Sequence, residues 1–485
     1  MITFIAILDK MGKNVVPTLL SALENAQTTS KSCFGLTTSC NHVASADVGG
    51  LDSQKLNSSV ATGFILDNSS SSELTVMKLG EAIMTFVGRA FTTDFQASLE
   101  EIVRKNAKSD FAKSAKSILE RVEGEYALTI SHLGGLVAAR DPVGVQPLYF
   151  GETSEIAALA SNRASLWRLG IDNPKSFPPG HVGTVTHEGF RFAPVKVLEF
   201  SEPRAISMDV AATALQKLLQ ESVLRRVAAH KKIAVAFSGG LDSSLVACLA
   251  KKTGVDVRLV HVSLEGQHET AEARKAAEAL GLPLQVHLFT ESDAERDISK
   301  VVDLIEEPDP IKAAVGVPFF WNAQKASAEG LRVMLAGQGA DELFGGYQRY
   351  VNEYLANGDE AVRRTMFHDV SVLHESNIER DEKICGYFDV ELRLPFGSFA
   401  VAEFAMSLPT GLKFEKKSDS LRKLVLRKAA ENMGIPKEIV EKPKKAVQYS
   451  TGINNALKRI AKKENLTLAE YMNMLFQENR KKATD

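Results

Sequence analysis

Apolar and polar residues along the chain follow two rhythms, and the change between them falls near residue 200. Before it, short apolar or alternating runs recur: TFIAIL, VATGFIL, ELTVMKL, EAIMTFVG, EYALTISH, LVAARD, VGTVTH and RFAPVKVLEF. Turn residues separate these runs, which predicts strands, with one helical stretch at about 94–121. Residues 1–200 therefore read as a mostly antiparallel sheet domain with helices. After it, MDVAATALQKLLQESVLRRVAAH has helical spacing, and KKIAVAFSGG reads as a strand ending in a turn. LDSSLVACLAKKTG reads as a helix with Gly254 as its C-terminal stop. DVRLVHVSL, HETAEARKAAEALG, PLQVHLFT and GLRVMLAGQG continue as strand, helix, strand and strand into turn. Such alternation predicts a doubly wound parallel sheet with helices on both faces, over 205–470. EFSEPRAIS, 199–207, is the expected linker. Residues 456–485 read as a Lys-rich, solvated helix, with 471–485 as a tail.

Length and charge narrow the class. A chain of 485 residues is too long for one ordinary core, so two domains are expected. The net charge of -2 makes no electrostatic case for nucleic acid or an anionic membrane. No apolar run reaches the roughly 18 residues that span a bilayer. MITFIAILDK lacks a basic n-region and a long apolar h-region, so it reads as a strand and not a signal peptide. Cys33, Cys40, Cys248 and Cys385 are scattered, without a CxxC pair or a matching His cluster. They read as small buried hydrophobes in a protein of the reducing cytoplasm.

The string VAFSGGLDSSLVACLAKK, 235–252, carries the first chemistry. A strand that ends in Gly-rich backbone and passes at once into a helix exposes converging N–H groups at the positive end of the helix dipole. Gly239 and Gly240 allow close backbone approach, Ser238, Ser243 and Ser244 add hydroxyls, and Asp242 offers a carboxylate for magnesium. Ser-Gly-Gly alone would read as a tight βα turn with an ordinary N-cap. The whole string SGGLDSS after an apolar strand is far more specific, and it is not GxxxxGK[ST]. It resembles the PP-loop of the ATP pyrophosphatases. The resemblance implies that Ser238, Gly239, Gly240, Asp242, Ser243 and Ser244 bind pyrophosphate and its Mg2+. It also implies that backbone near Val260, Val262 and Ser263 contacts the adenine of ATP, with Gly337 at the same site.

Three later strings choose a branch. LAGQGADELFGGYQRY, 335–350, puts Asp341 and Glu342 after a second Gly-rich turn, where Asp341 would share magnesium with Asp242 across the crevice. YFDVELRLPFGSFAVAEFAMSLPTGLKF and SLRKLVLRKAAENMGIPKEIVEKPKKAVQYSTG follow. Together they resemble the synthetase half of the asparagine synthetase family, over nearly the whole chain and in order. That resemblance implies an adenine-nucleotide α-hydrolase-like domain with a helical extension. It implies an AMP-forming ligase that adenylates the aspartate carboxylate and forms an amide with ammonia. Lys444, with Lys445 as a near alternative, aligns with the family lysine that stabilises the charged transition state. Position 338 is Gln where many members have Glu, so a general base must lie elsewhere. Glu382 aligns with an acid of the related β-lactam synthetases.

EGEYALTISHLGGLVAARDPVGVQPLYFG and LASNRASLWRLGIDNPKSFPPG resemble the amidotransferase domain of the family, with Arg140, Asp141, Gly144 and Pro147 in its signature. This implies an Ntn-hydrolase-like αββα sandwich. Its expected nucleophilic Cys is missing: Ile2 stands at that position. Its R-G-P-D loop and N-G pair are missing too; SKSCFGLTTS and Val87-Gly88 stand there. The domain is therefore expected to fold but not to hydrolyse glutamine. Ammonia would be free or come from a separate partner, and a homodimer is allowed. The alternatives are an adenylating enzyme acting on another carboxylate, or a non-catalytic nucleotide-binding homologue.

Overall fold

The computed structural model describes all residues except 1, 27–31, 53–54, 68–73, 93–94, 107–109, 416, 418–420, 444–450 and 485. Two compact units emerge: Met1–Val197 with Arg480–Asp485, and Leu198–Asn479. All four cysteines are free thiols. Among the described residues no helix is long and apolar enough to cross a membrane.

The first unit contains a seven-stranded sheet and a six-stranded sheet, both antiparallel throughout. Alternation along the strand Thr3–Asp9 shows why they stack. Ile5 and Ile7 pack against Leu19, Leu20 and Leu23 of the helix Val16–Glu24, while Phe4, Ala6 and Leu8 face Ala127, Leu136 and Ala138 of the other sheet. The outer side of that second sheet, with Phe86, Leu128 and Ile130, packs on Ile118 and Leu119 of the helix Phe111–Arg121. Period-2 side-chain alternation thus gives each sheet two apolar faces and the unit three apolar layers. The helical stretch expected at 94–121 is two helices, Phe95–Asn106 and Phe111–Arg121. Asp110 caps the second through the Lys113 N–H.

The signature around Arg140 and Asp141 is a clasp. Asp141 accepts four backbone N–H groups, from Val143, Gly144, Val145 and Gln146, at 2.8–3.1 Å. Arg140, wholly buried, donates to the carbonyls of Gln146, Gly144 and Phe177 and to Ser176 Oγ. Two charged side chains thereby satisfy a buried loop that cannot pair with a strand.

In the second unit five parallel strands are labelled β1 (Lys232–Ala236), β2 (Asp256–Leu264), β3 (Leu284–Phe289), β4 (Val333–Leu335) and β5 (Glu391–Arg393). Their order is β3-β2-β1-β4-β5. The chain winds one way from β1 and then the other, so a crevice opens between the C-terminal ends of β1 and β4. The helices that matter are α1 (Met208–Val227), α2 (Leu241–Lys252), α3 (Glu269–Leu280), α4 (Glu291–Ile305), α5 (Pro310–Ala328), α6 (Ala340–Phe344), α7 (Glu379–Tyr387) and α8 (Leu424–Asn432). The core gathers Leu215 and Leu219 of α1, Leu245 and Leu249 of α2, Val235 of β1, and Leu426 and Ala430 of α8.

One sequence expectation gains detail and another changes. The linker segment is strapped down: Phe200 meets Phe367 edge-on at 5.6 Å, Arg363 pairs with Glu202 at 3.1 Å, and the Arg204 N–H donates to the Ser407 carbonyl. The Lys-rich C-terminal region is not a solvated helix. It forms two helices, Ile453–Lys463 and Leu468–Thr484; the first buries Ile453, Ala456, Leu457, Ile460 and Ala461, and Met472 is buried in the second. The lysines occupy the outer face, where Lys463 reaches Glu295 of α4 at 3.2 Å.

Candidate active site

Two turns meet at the crevice. In the turn after β1, Gly239 has φ 69°, and a Cβ there would stand 2.7 Å from the Ala273 Cα of α3. Only glycine fits. Helix α2 then starts at Gly240 without a side-chain cap. Helix α3 is uncapped too, whereas α4 and α5 are capped. Thr290 and Asp293 close a capping box on α4, and Asp309 accepts from the Ile311 and Lys312 N–H groups of α5. The open start of α2 leaves donors and positive dipole potential to an anion. The Ser238 and Ser243 hydroxyls lie 3.2 Å apart beside it.

The turn after β4 runs into α6, which is also uncapped by any side chain. Gly337 is pressed so close to α2 that a Cβ would lie 2.8 Å from that of Asp242. Asp242 and Asp341, one from each turn, share the ammonium of Lys423. Lys423 Nζ stands 2.7 and 2.8 Å from the two Asp242 oxygens and 2.7 Å from Asp341 Oδ1. Lys423 is buried and has φ 61°, ψ 40°, just before α8. A non-glycine residue there costs about 1–2 kcal/mol. The packing around it holds that strain at the point where the two carboxylates are tied.

Two carboxylates against one ammonium leave one negative charge in this trio. Magnesium is held by one or two carboxylates with substrate phosphates and water completing its shell, and Asp242 and Asp341 fit that donor set. Among the described residues no group of three His, Cys, Asp or Glu side chains forms an all-protein metal cage.

A cavity of about 570 Å³ opens here, lined by Ser238, Asp242, Ser243, His261, Val262, Gly337, Gln338, Asp341, Glu342, Asn377 and Arg380. Val315, Pro318 and Phe319 of α5 give it an apolar wall. The size and mixed lining suit a small-molecule site. Glu342 is buried and accepts from the Tyr347 hydroxyl at 2.6 Å and from Asn377 Nδ2 at 2.8 Å. Burial, and then the Asp341 charge, push its carboxyl above the usual range. Burial lowers the His261 imidazole and favours its neutral ring; its Nδ1 lies 2.9 Å from the Phe237 carbonyl.

The cavity brings together Ser238, Asp242, Ser243, Val262, Gly337 and Asp341 from the sequence reading. Gly239 and Gly240 build the turn, and the Gly239 carbonyl accepts from Lys442 Nζ at 3.2 Å. Other expected residues stand elsewhere. Ser244 is wholly buried, and its Oγ has no hydrogen-bond partner among the described residues. Ser263 is buried in the same way. The Val260 carbonyl accepts the Phe237 N–H at 2.8 Å, so it is committed to the sheet edge, and His261 lines the cavity instead. Glu382 is buried in α7 outside the lining, while its neighbours Arg380 and Asp381 reach the site. Lys444 and Lys445 lie outside the described residues. In the first unit Ile2 is a core residue between the sheets, 2% exposed.

Sequence reasoning missed Lys423 as the shared counter-ion, although it lies in the quoted string LRKLVLRKA. A buried lysine beside a helix start leaves no periodic signal. The α5 wall was missed because a helix apolar on all sides reads only as core.

Comparison with known proteins agrees with this geometry. A family model described as Asparagine synthase matches residues 214–357 and 352–479, and one described as Glutamine amidotransferase domain matches 89–168. The putative asparagine synthetase [glutamine-hydrolyzing] 1 of Methanocaldococcus jannaschii is 32% identical, over 74% of this chain and 75% of that protein. The asparagine synthetase [glutamine-hydrolyzing] of Triphysaria versicolor is 28% identical, over 71% of this chain and 60% of that protein. That of Asparagus officinalis is 29% identical, over 65% and 55% respectively, so the chain spans little more than half of the plant proteins. With the family model matched over more than half its length, this chain belongs to the asparagine synthase family of ligases that form C–N bonds.

Proposed function

We propose that the protein is an ATP-dependent, AMP-forming amide ligase that converts aspartate to asparagine with ammonia, free or delivered by a partner. The observation that carries this reading is the trio Asp242–Lys423–Asp341 at the crevice, beside an uncapped Ser-Gly-Gly turn. A carboxylate cannot expel oxide, so it needs a better leaving group. An oxygen of the aspartate side chain attacks the α-phosphorus of ATP, the bond to the β-phosphate oxygen breaks, and pyrophosphate leaves. Ammonia then attacks the acyl carbon, AMP departs, and one proton is released.

The uncapped start of α2 and the hydroxyls of Ser238 and Ser243 grip the departing pyrophosphate. Asp242 and Asp341 are the residues that would hold a magnesium ion, whose chemistry when bound is neutralisation of pyrophosphate charge. Lys423 orients both carboxylates. Lys444 is assigned to the charged transition state by alignment. Val262 and the α5 wall flank the adenine.

The first unit we read as an Ntn-type αββα sandwich that is silent as a glutaminase. Ile2 lies in the inter-sheet core, and the cysteines of this unit, Cys33 and Cys40, are not on the strand Thr3–Asp9. We place the protein in the cytoplasm.

Mass spectrometry of products from ATP, magnesium and aspartate with either ammonium or glutamine tests the reading. Asparagine and AMP are expected with ammonium and not with glutamine. Absence of aspartate-dependent pyrophosphate release would sink the ligase assignment, and equal yield from glutamine would sink the silent-glutaminase part.

A further inference from the structure

Gln338 lines the cavity and is pinned from behind. Its Nε2 donates to Asp381 Oδ2 at 2.6 Å. Asp381 is wholly buried and held by the Arg380 guanidinium, Nε to Oδ1 at 2.7 Å and Nη2 to Oδ2 at 3.0 Å. Both carboxylate oxygens already accept charged donors, so Asp381 can only accept from Gln338. This fixes the amide. Nε2 must face Asp381, and Oε1 is the atom left for the cavity, accepting no hydrogen bond among the described residues.

The place of this residue in the cavity follows from its neighbour. Gly337 is packed directly against Asp242, so Gln338 opens beside the phosphate end of the cavity. The chemistry follows from its charge. A carboxylate there would favour an ammonium ion, which has no lone pair to attack with. A neutral amide oxygen accepts one N–H and leaves the lone pair of a neutral amine free. Asp381 adds no net charge, because Arg380 balances it.

We propose that Gln338 Oε1 receives an N–H of the attacking amine, and that Asp381 is the positioning residue that keeps the amide oxygen turned toward it. This rests on the amide-ligase reading above. An orienting acceptor acts on the second half-reaction, amide formation, and leaves adenylation alone.

The test uses the full-length protein and two readouts: pyrophosphate released from ATP and aspartate without amine, and asparagine formed as ammonium is varied. Gln338→Leu is expected to raise the KM for ammonium about tenfold, the order of one lost hydrogen bond. Amine-free pyrophosphate release should stay within about threefold, since the substitution removes no donor to phosphate. Asp381→Asn can donate to Oε1 and let the amide turn over, so it should raise the same KM; a melting curve shows whether it folds. Gln338→Glu keeps an acceptor but sets two carboxylates together, so it should recover part of the ammonium affinity, with a pH dependence steeper or shallower than the ammonium–ammonia equilibrium alone gives wild type. An ammonium KM within twofold of wild type in Gln338→Leu overturns the inference. So does a shift in the aspartate KM instead, or an equal fall in both readouts. Loss of pyrophosphate release in wild type would topple the ligase reading, and this one with it; intact release with an unmoved ammonium KM topples this one alone.

Discussion

Two Gly-containing turns, one in each unit, carry an aspartate and use it in opposite ways. In the first, Asp141 accepts four backbone N–H groups and the adjacent Arg140 fills four acceptors. The carboxylate is spent on the turn itself and the guanidinium on the turn and the adjacent segment at Ser176 and Phe177, so the turn is finished as a structure. In the second, Asp242 is turned away from its own turn and held by Lys423, 181 residues later, while the α2 N-terminus has no side-chain cap. The turn bonds within itself through Ser238 and Ser243, but the start of α2 is left to an acceptor from outside, as an anion would be. Both strings stand out in the sequence, and both hold Gly and Asp. Where the hydrogen bonds go separates a structural motif from a functional one.

The same contrast holds for two buried lysines. Lys423 lies between two carboxylates. Lys413 is equally buried and makes no ion pair among the described residues. Burial pushes its ammonium down to about 7, and the nearby Arg363 adds to the effect.

The largest expected effect breaks the clasp. Asp141→Ala takes the carboxylate acceptor from four backbone N–H groups, two buried and two part-buried, and leaves Arg140 without its neighbouring charge, and should cost about 3–5 kcal/mol of stability. Chemical denaturation followed by limited proteolysis of the first unit would register it; a loss under 1 kcal/mol would refute the clasp. Asp242→Asn should do the reverse. Thermal stability should barely move, while kcat/KM for ATP-dependent product formation falls about 10²–10³-fold through lost electrostatic support. A full-rate variant would remove Asp242 from the site.

Smaller effects sharpen the lysine pair. The unfolded Lys413 binds its proton up to pH near 10.5 and the folded one only to about 7, so its penalty is complete below pH 7 and is relieved as pH rises between those values. Lys413→Met should therefore raise the melting temperature most at or below neutrality, with the gap closing toward pH 10. A gap that does not change with pH would contradict the assignment. Ser238→Ala removes one hydroxyl from the turn and should lower kcat/KM about three- to tenfold, in keeping with one hydrogen bond. Steady-state kinetics at saturating aspartate would measure it.

Much was legible beforehand because it is local. Alternation over 1–200 and the strand–helix rhythm after 205 follow from side-chain periodicity, which the backbone imposes within each element. SGGLDSS could be read as a turn because Gly, Ser and Asp have specific backbone and capping behaviour over a few residues. At some of the residues singled out, the structure shows a second local demand. Val260 spends its carbonyl on Phe237, and Ser244 turns inward on α2. The C-terminal lysines suggested solvent, yet the apolar stripe between them decided how those helices pack.

The sequence by itself thus determined the main element types, the parallel character of the second sheet and the position of the Ser-Gly-Gly turn between a strand and a helix. Only the tertiary structure decided that Lys423 ties Asp242 to Asp341, that Asp381 turns the amide of Gln338, and that Arg140 and Asp141 serve their own loop. The pairing of Asp242 with Asp341 follows from the strand order β3-β2-β1-β4-β5, which brings two distant turns to one crevice. Periodicity says which face a residue takes; it carries no information about which remote residue will face it.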